Sequence, residues 1–135
     1  MIAYFWVAIG GALGSMGRYW LGGLIAEAAA QQGRIFPWNT LVVNVTGSFV
    51  IGVFGALTTT EGRWPASPAI RQFFVAGICG GYTTFSSFSL QTLNLLQDRQ
   101  WLPAGANACL SVVLCLIAVW LGYLLGAMFN SMKGH

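Results

Sequence analysis

The chain has 135 residues, is 56% apolar and only 7% charged, and has a mean hydropathy of +0.69. Soluble domains carry charge on about a quarter of their residues, so the composition excludes a water-soluble globule and points to one membrane domain over residues 1–135. A net charge of +3, small and scattered, gives no footprint for nucleic acid.

About 20 apolar residues cross a bilayer as a helix. Four runs reach that length, at about 3–26, 38–60, 69–96 and 102–129. The expected fold is an all-α integral membrane protein with four transmembrane helices. The segments 31–37, 61–68 and 98–103 hold most of the charge and all four prolines. Ala26-Glu27-Ala28 resembles a signal cleavage site, yet nothing basic precedes Arg18, and Arg18 would interrupt the apolar core of a signal. The first helix is expected to be retained.

Loop charge is nearly balanced. With four crossings, Arg63, Arg71 and Lys133 share one side, and Arg34 and Arg99 the other. Lys/Arg bias sets orientation, so the chain inserts one way on a weak signal or inserts both ways. Dual insertion would let two copies pair antiparallel about a two-fold axis in the membrane plane. Cys79, Cys109 and Cys115 fall within predicted helices without metal-ligand spacing, and His135 is the last residue. The cysteines read as small packing residues.

In helix one, Gly10 and Gly14 form a small-xxx-small face that admits another helix backbone. Arg18 follows one turn later. A membrane arginine faces protein or water, so Arg18 either bonds carbonyls or snorkels as a structural residue, or places positive charge at the mouth of an anion path. In helix two, Thr40, Asn44 and Ser48 recur every four residues, setting an amide between two hydroxyls on one face. Asn44 could bond a neighbouring helix or offer its N–H donors to an anion.

Helix three departs from a lipid-facing pattern. Gly80-Gly81 is followed by Tyr82-Thr83-Thr84-Phe85-Ser86-Ser87-Phe88-Ser89. Bare backbone at membrane depth persists only when buried or facing a watery cavity, so a broken helix is expected around Gly80-Gly81. The freed carbonyls would suit a cation; alternatively, Gly77 and Gly81 only allow close packing. Thr84, Ser87, Gln91 and Asn94 share one helical face, with Phe85, Phe88 and Thr92 beside it. Helix four repeats the stripe with Asn107, Ser111 and Cys115.

Striped faces on three helices argue for a narrow polar route. Glu27, Glu61 and Asp98 all lie at helix ends or in loops, whereas proton relays and cation exporters need a carboxylate within the span. Amides, hydroxyls, one arginine and positive ring edges remain, and these suit a small anion.

Taken together, Gly10-Gly11-(x)2-Gly14-(x)3-Arg18-Tyr19, Thr40-Leu41-Val42-Val43-Asn44-(x)2-Gly47 and Gly80-Gly81-Tyr82-Thr83-Thr84-Phe85-Ser86-Ser87-Phe88-Ser89 resemble the Fluc (fluoride exporter) family of small four-helix fluoride channels. The resemblance spans nearly the whole chain, and its third motif is the specific one. It implies an antiparallel homodimer of dual-topology subunits in the cell membrane, passing fluoride out passively and protecting the cell from its accumulation. It implies that Phe85 and Phe88 turn their edges to fluoride, with Asn44, Thr84, Ser87 and the helix-four Ser111 as pore donors and Arg18 near the vestibule. It further implies a structural sodium at the dimer centre, held by the backbone carbonyls of Gly80 and Thr83. Two departures stand out. Gln91 occupies a place where such proteins commonly carry glutamate, and the helix-four polar track is thin.

Two rival readings have their own signatures. A small four-helix proton-coupled multidrug exporter requires an acidic residue in helix one, and none occurs within that span. A membrane scaffold subunit would use its stripes only to bind partner helices. An enzyme would need a base or metal cluster beside the hydroxyls.

Overall fold

The interruption of the third apolar segment determines how the remaining helices are placed. The computed structural model describes residues 2–132; Lys133 and His135 lie outside the described residues. Among these residues all regular structure is helical. The elements run α1 (Ile2–Gln31), α2 (Trp38–Leu57), α3 (Pro68–Arg71), a π-helical stretch (Gln72–Cys79), α4 (Gly80–Tyr82), α5 (Phe85–Gln97) and α6 (Trp101–Ser131).

Three segments are long and apolar enough to cross a membrane: Trp38–Leu57, Pro68–Gln97 and Trp101–Ser131, with mean hydropathies of 1.9, 1.2 and 2.5. α1 has 30 residues, ample length for a crossing, but its glycines, Arg18 and aromatic polar groups dilute its hydropathy. Its C-terminal extension beyond residue 26 follows from Glu27-Ala28-Ala29-Ala30-Gln31, all strong helix formers. It stops where Gly33 takes φ +65°, a conformation that glycine adopts without steric cost.

Small residues set the packing. The most extensive helix pair is α2 with α6. A Cβ on Gly52 would meet the Val119 carbonyl oxygen, and one on Gly122 the Phe49 carbonyl oxygen. α1 lies equally close to the π-helical stretch and α4. A Cβ on Gly77 would stand 2.9 Å from the Gly10 Cα, and one on Gly14 would stand 2.8 Å from the Tyr82 nitrogen. In lipid, such backbone approach replaces the hydrophobic drive that holds soluble helices together. The buried set is accordingly small, with Leu41, Val43, Ala56, Cys79, Leu95, Ala104 and Ala118, while Leu102, Trp120 and Met128 face outward.

At one end of the bundle two arginines finish helices. Arg71 Nη1 donates to the Thr58 carbonyl at 3.0 Å, at the α2 C-cap, and Arg63 Nη1 donates to the Phe129 carbonyl of α6 at 3.2 Å. Asn130 joins the same end, accepting from Arg63 N–H at 2.8 Å and donating to the Ala56 carbonyl at 2.9 Å. Cations and donors belong at helix C-termini, where carbonyls lack partners.

If close backbone approach holds α1, Gly14→Ala lowers stability by about 1–3 kcal/mol. Gly11→Ala, whose Cβ would meet nothing within 4 Å, is neutral or slightly stabilising. Thermal unfolding of the two variants in detergent checks the contrast.

Candidate ion pathway

The helix breaks at Thr83-Thr84, three residues after the position expected from the glycine pair. Gly80–Tyr82 remains α-helical, and the extended residues are Thr83 (φ −80°, ψ 157°) and Thr84 (φ −151°, ψ 113°). Gly81 keeps to the helix because its bare face is occupied by α1: a Cβ there would stand 3.0 Å from the Gly11 Cα. The threonines follow with β-branched side chains that disfavour helix and hydroxyls that can replace backbone partners. Thr83 Oγ1 and its N–H both donate to the Cys79 carbonyl, at 2.8 and 2.9 Å. Thr84 caps α5, its Oγ1 accepting from Ser87 N–H at 3.2 Å. This is the usual work of an N-cap hydroxyl.

Asn44 completes the break. Its Oδ1 accepts from Thr84 N–H at 2.7 Å, and its Nδ2 donates to the Thr84 carbonyl at 3.0 Å. One side-chain amide therefore satisfies both polar groups of one peptide residue. One Nδ2 hydrogen remains for another acceptor. Upstream, the Thr84 N–H that would have continued the ladder to the Gly80 carbonyl is diverted.

Two clefts meet at this break, and a third adjoins one of them. The inner one, about 450 Å³, is lined by Asn44, Ser48, Gly80, Thr83, Thr84, Phe85, Phe88, Ser111 and Cys115, with apolar neighbours. The middle one, about 330 Å³, is lined by Arg18, Tyr19, Asn39, Thr40, Thr84, Ser87 and Gln91, with small residues between them. They share Thr84. The outer one, about 340 Å³, contains Arg34, Trp38, Asn94 and Asp98, and shares Ala26, Asn39 and Gln91 with the middle cleft. The series of clefts thus runs from the helix ends to the two rings.

The predicted residues divide between these clefts in an orderly way. Phe85 and Phe88 lie with ring centroids 5.2 Å apart at 47°, and Phe85 is 76% exposed, projecting from its own chain. Arg18 and Gln91 flank the middle cleft, where the buried Arg18 Nε and Gln91 Oε1 have no hydrogen-bond partner among the described residues. Polar atoms so placed call for water or a solute. Ser111 is buried in the inner cleft and contacts Asn107 Oδ1 at 3.5 Å. Asn107 itself leaves the stripe, since its Nδ2 donates to Thr92 Oγ1 at 2.9 Å and ties α6 to α5. Ser87 Oγ accepts from Thr84 Oγ1 at 3.0 Å.

Several contributors were not singled out from sequence. Asn39 belongs to both the outer and middle clefts; it precedes the Thr40 stripe by one residue, at the first turn of α2, where side chains splay towards the neighbouring helix end. Tyr82 OH and Thr46 Oγ1, 2.8 Å apart, fasten α4 to α2, a pair with no local signal. Gly122-(x)3-Gly126 carried a small-xxx-small signal for the α2–α6 contact.

Comparison with known proteins gives one consistent answer. The family described as CrcB-like protein, Camphor Resistance (CrcB), matches residues 5–123. A protein of Rhodospirillum rubrum named fluoride-specific ion channel FluC is 58% identical over 129 residues, covering 96% of this chain and 98% of that one. Proteins of the same name from Opitutus terrae and Methylocella silvestris are 55% and 53% identical. They cover 99% and 97% of this chain, and 99% and 98% of their own lengths.

Replacing the amide that holds the break exposes its role. Asn44→Leu leaves the Thr84 N–H unpaired, so stability falls by about 1–3 kcal/mol. Hydrogen exchange at the Thr84 amide then accelerates relative to amides in the middle of α6.

Proposed function

Because this chain belongs to the CrcB-like family, we propose that it is a fluoride-selective ion channel, passing fluoride out of the cell passively and so limiting its accumulation. The observation that carries the reading is the succession of clefts joined at Thr84, in which donors predominate. Neither the middle nor the inner cleft is lined by a carboxylate or histidine. Hydroxyls of Thr84, Ser87 and Ser111, the remaining Asn44 N–H and the ring edges of Phe85 and Phe88 replace the water of a small anion. Arg18 supplies positive potential before the narrow part, and Gln91 contributes a neutral amide beside it. Larger halides gain less from the same donors, because their lower charge density makes weaker hydrogen bonds, and they fit a narrow path poorly.

The channel is an antiparallel homodimer in the cell's inner membrane, with α1 as the fourth crossing. Supporting this are the nearly even loop charge and the outward face formed by exposed Gly80 and Phe85, which a second copy would cover. The Gly80 carbonyl has lost its ladder donor, and Thr83 is extended. Two such hard oxygens from each copy suit a structural sodium, which would supply positive charge and tie the subunits at the breaks. No acidic group in the middle or inner cleft supports the proton-coupled exporter, and the clefts themselves speak against a scaffold without transport.

Two experiments check this reading. Phe85→Ile or Phe88→Ile removes a positive ring edge from the path, lowering fluoride efflux from proteoliposomes about tenfold while the dimer stays assembled. Unchanged flux in both variants would remove the rings from the path. Efflux by the parent protein stays flat between about pH 5.5 and 8, because no carboxylate or histidine lines the middle or inner cleft; a proton-coupled exporter would show a marked dependence.

A further inference from the structure

The outer cleft contains two charged lining residues, Arg34 after α1 and Asp98 at the end of α5. α1 ends with Gly33 at φ +65°, and the Arg34 N–H returns to the Ala29 carbonyl at 3.0 Å. That reversal brings Arg34 back over the start of α2, its Cζ 6.0 Å from the Trp38 ring centroid. Asp98 is the C-cap of α5, its N–H on the Asn94 carbonyl at 3.0 Å. A carboxylate at that end opposes the helix dipole. The next residue, Arg99, takes φ 57°, which a side chain with a Cβ adopts at some cost. Arg34, a cation just past the α1 C-terminus and beside the Trp38 ring, is favourably placed by local rules, whereas Asp98 stands against the α5 dipole, and such departures gather at functional sites.

We propose that the outer cleft is an anion-collecting mouth whose pull is set by Arg34 acting against Asp98. The proposal rests on the channel reading above. Low-dielectric walls focus the field of a few charges into a cleft and raise the local concentration of the opposite ion. Anions collected at Arg34 pass Asn39 and Gln91, the residues shared with the middle cleft, and come under Arg18. Asp98 offsets that attraction and keeps the mouth from holding the ion too firmly to release it, since conduction needs sites weak enough to leave.

The test is initial fluoride efflux from neutral-lipid proteoliposomes, with an impermeant salt setting the ionic strength. At about 0.01 M the Debye length is about 30 Å, and at about 1 M it is about 3 Å. At the lower strength Arg34→Gln slows efflux about threefold or more, Asp98→Asn speeds it by a similar factor, and Arg34→Lys matches the parent. At the higher strength all four proteins converge. The proposal is overturned if Arg34→Gln and Asp98→Asn shift efflux in the same direction, if neither shifts it, or if the differences survive high salt. Absence of fluoride efflux from the parent protein would instead bring down the channel reading itself, and the mouth with it.

Discussion

The reciprocal hydrogen bonds between the Asn44 amide and the Thr84 peptide groups are the constraint on which the rest of this structure depends. Within a bilayer an unpaired N–H or C=O costs several kcal/mol, since no water is there to take it. A helix cannot simply stop at that depth. Asn44 Oδ1 takes up, at 2.7 Å, the N–H that Thr84 withdraws from the ladder, and Nδ2 adds a 3.0 Å bond to the Thr84 carbonyl at the start of α5. The break is thereby held in one geometry, and α5 starts from a fixed point. The direction of Phe85 and Phe88, and the meeting of the inner and middle clefts, follow from that start.

Close packing of small residues does the complementary work. Gly10, Gly14, Gly77 and Gly81 allow α1 to lie against the π-helical stretch and α4, which brings Arg18 to the cleft that ends at Thr84. A π-helical stretch at a functional site is a recurrent device, and here its wide turn ends where Gly80 N–H reaches the Val75 carbonyl. Along the route the character changes in steps. Two opposed charges stand outermost, one arginine with neutral amides and hydroxyls comes next, and rings with hydroxyls lie innermost. On the proposed channel reading, an anion would lose water gradually in such a sequence, meeting fixed donors as the aqueous ones fall away.

Much of this was legible in the residues. The four apolar runs lie over the observed helices within a few residues at most ends, and the stripes Thr40-Asn44-Ser48 and Thr84-Ser87-Gln91 line consecutive clefts because helical periodicity fixes which side chains share a face. The break itself lies three residues beyond the glycine pair that suggests it. Glycine signals freedom, and that freedom was used at Gly81 for contact with α1, leaving the interruption to the β-branched pair beyond it. Asn107 shows the same limit: its spacing put it in the polar stripe of helix four, but the Thr92 hydroxyl of a neighbouring helix claimed its amide.

By itself the sequence determined the membrane class, the helices, the polar faces and the motifs that carry the family resemblance, because hydropathy and periodicity are properties of neighbouring residues. Only the tertiary structure decided where the third helix opens, which peptide Asn44 satisfies, and that Arg34 and Asp98 share one cleft. Those outcomes depend on pairings across about 40 to 65 positions, where many donors compete for each acceptor. The choice among them is made by which backbones can approach closely enough to touch.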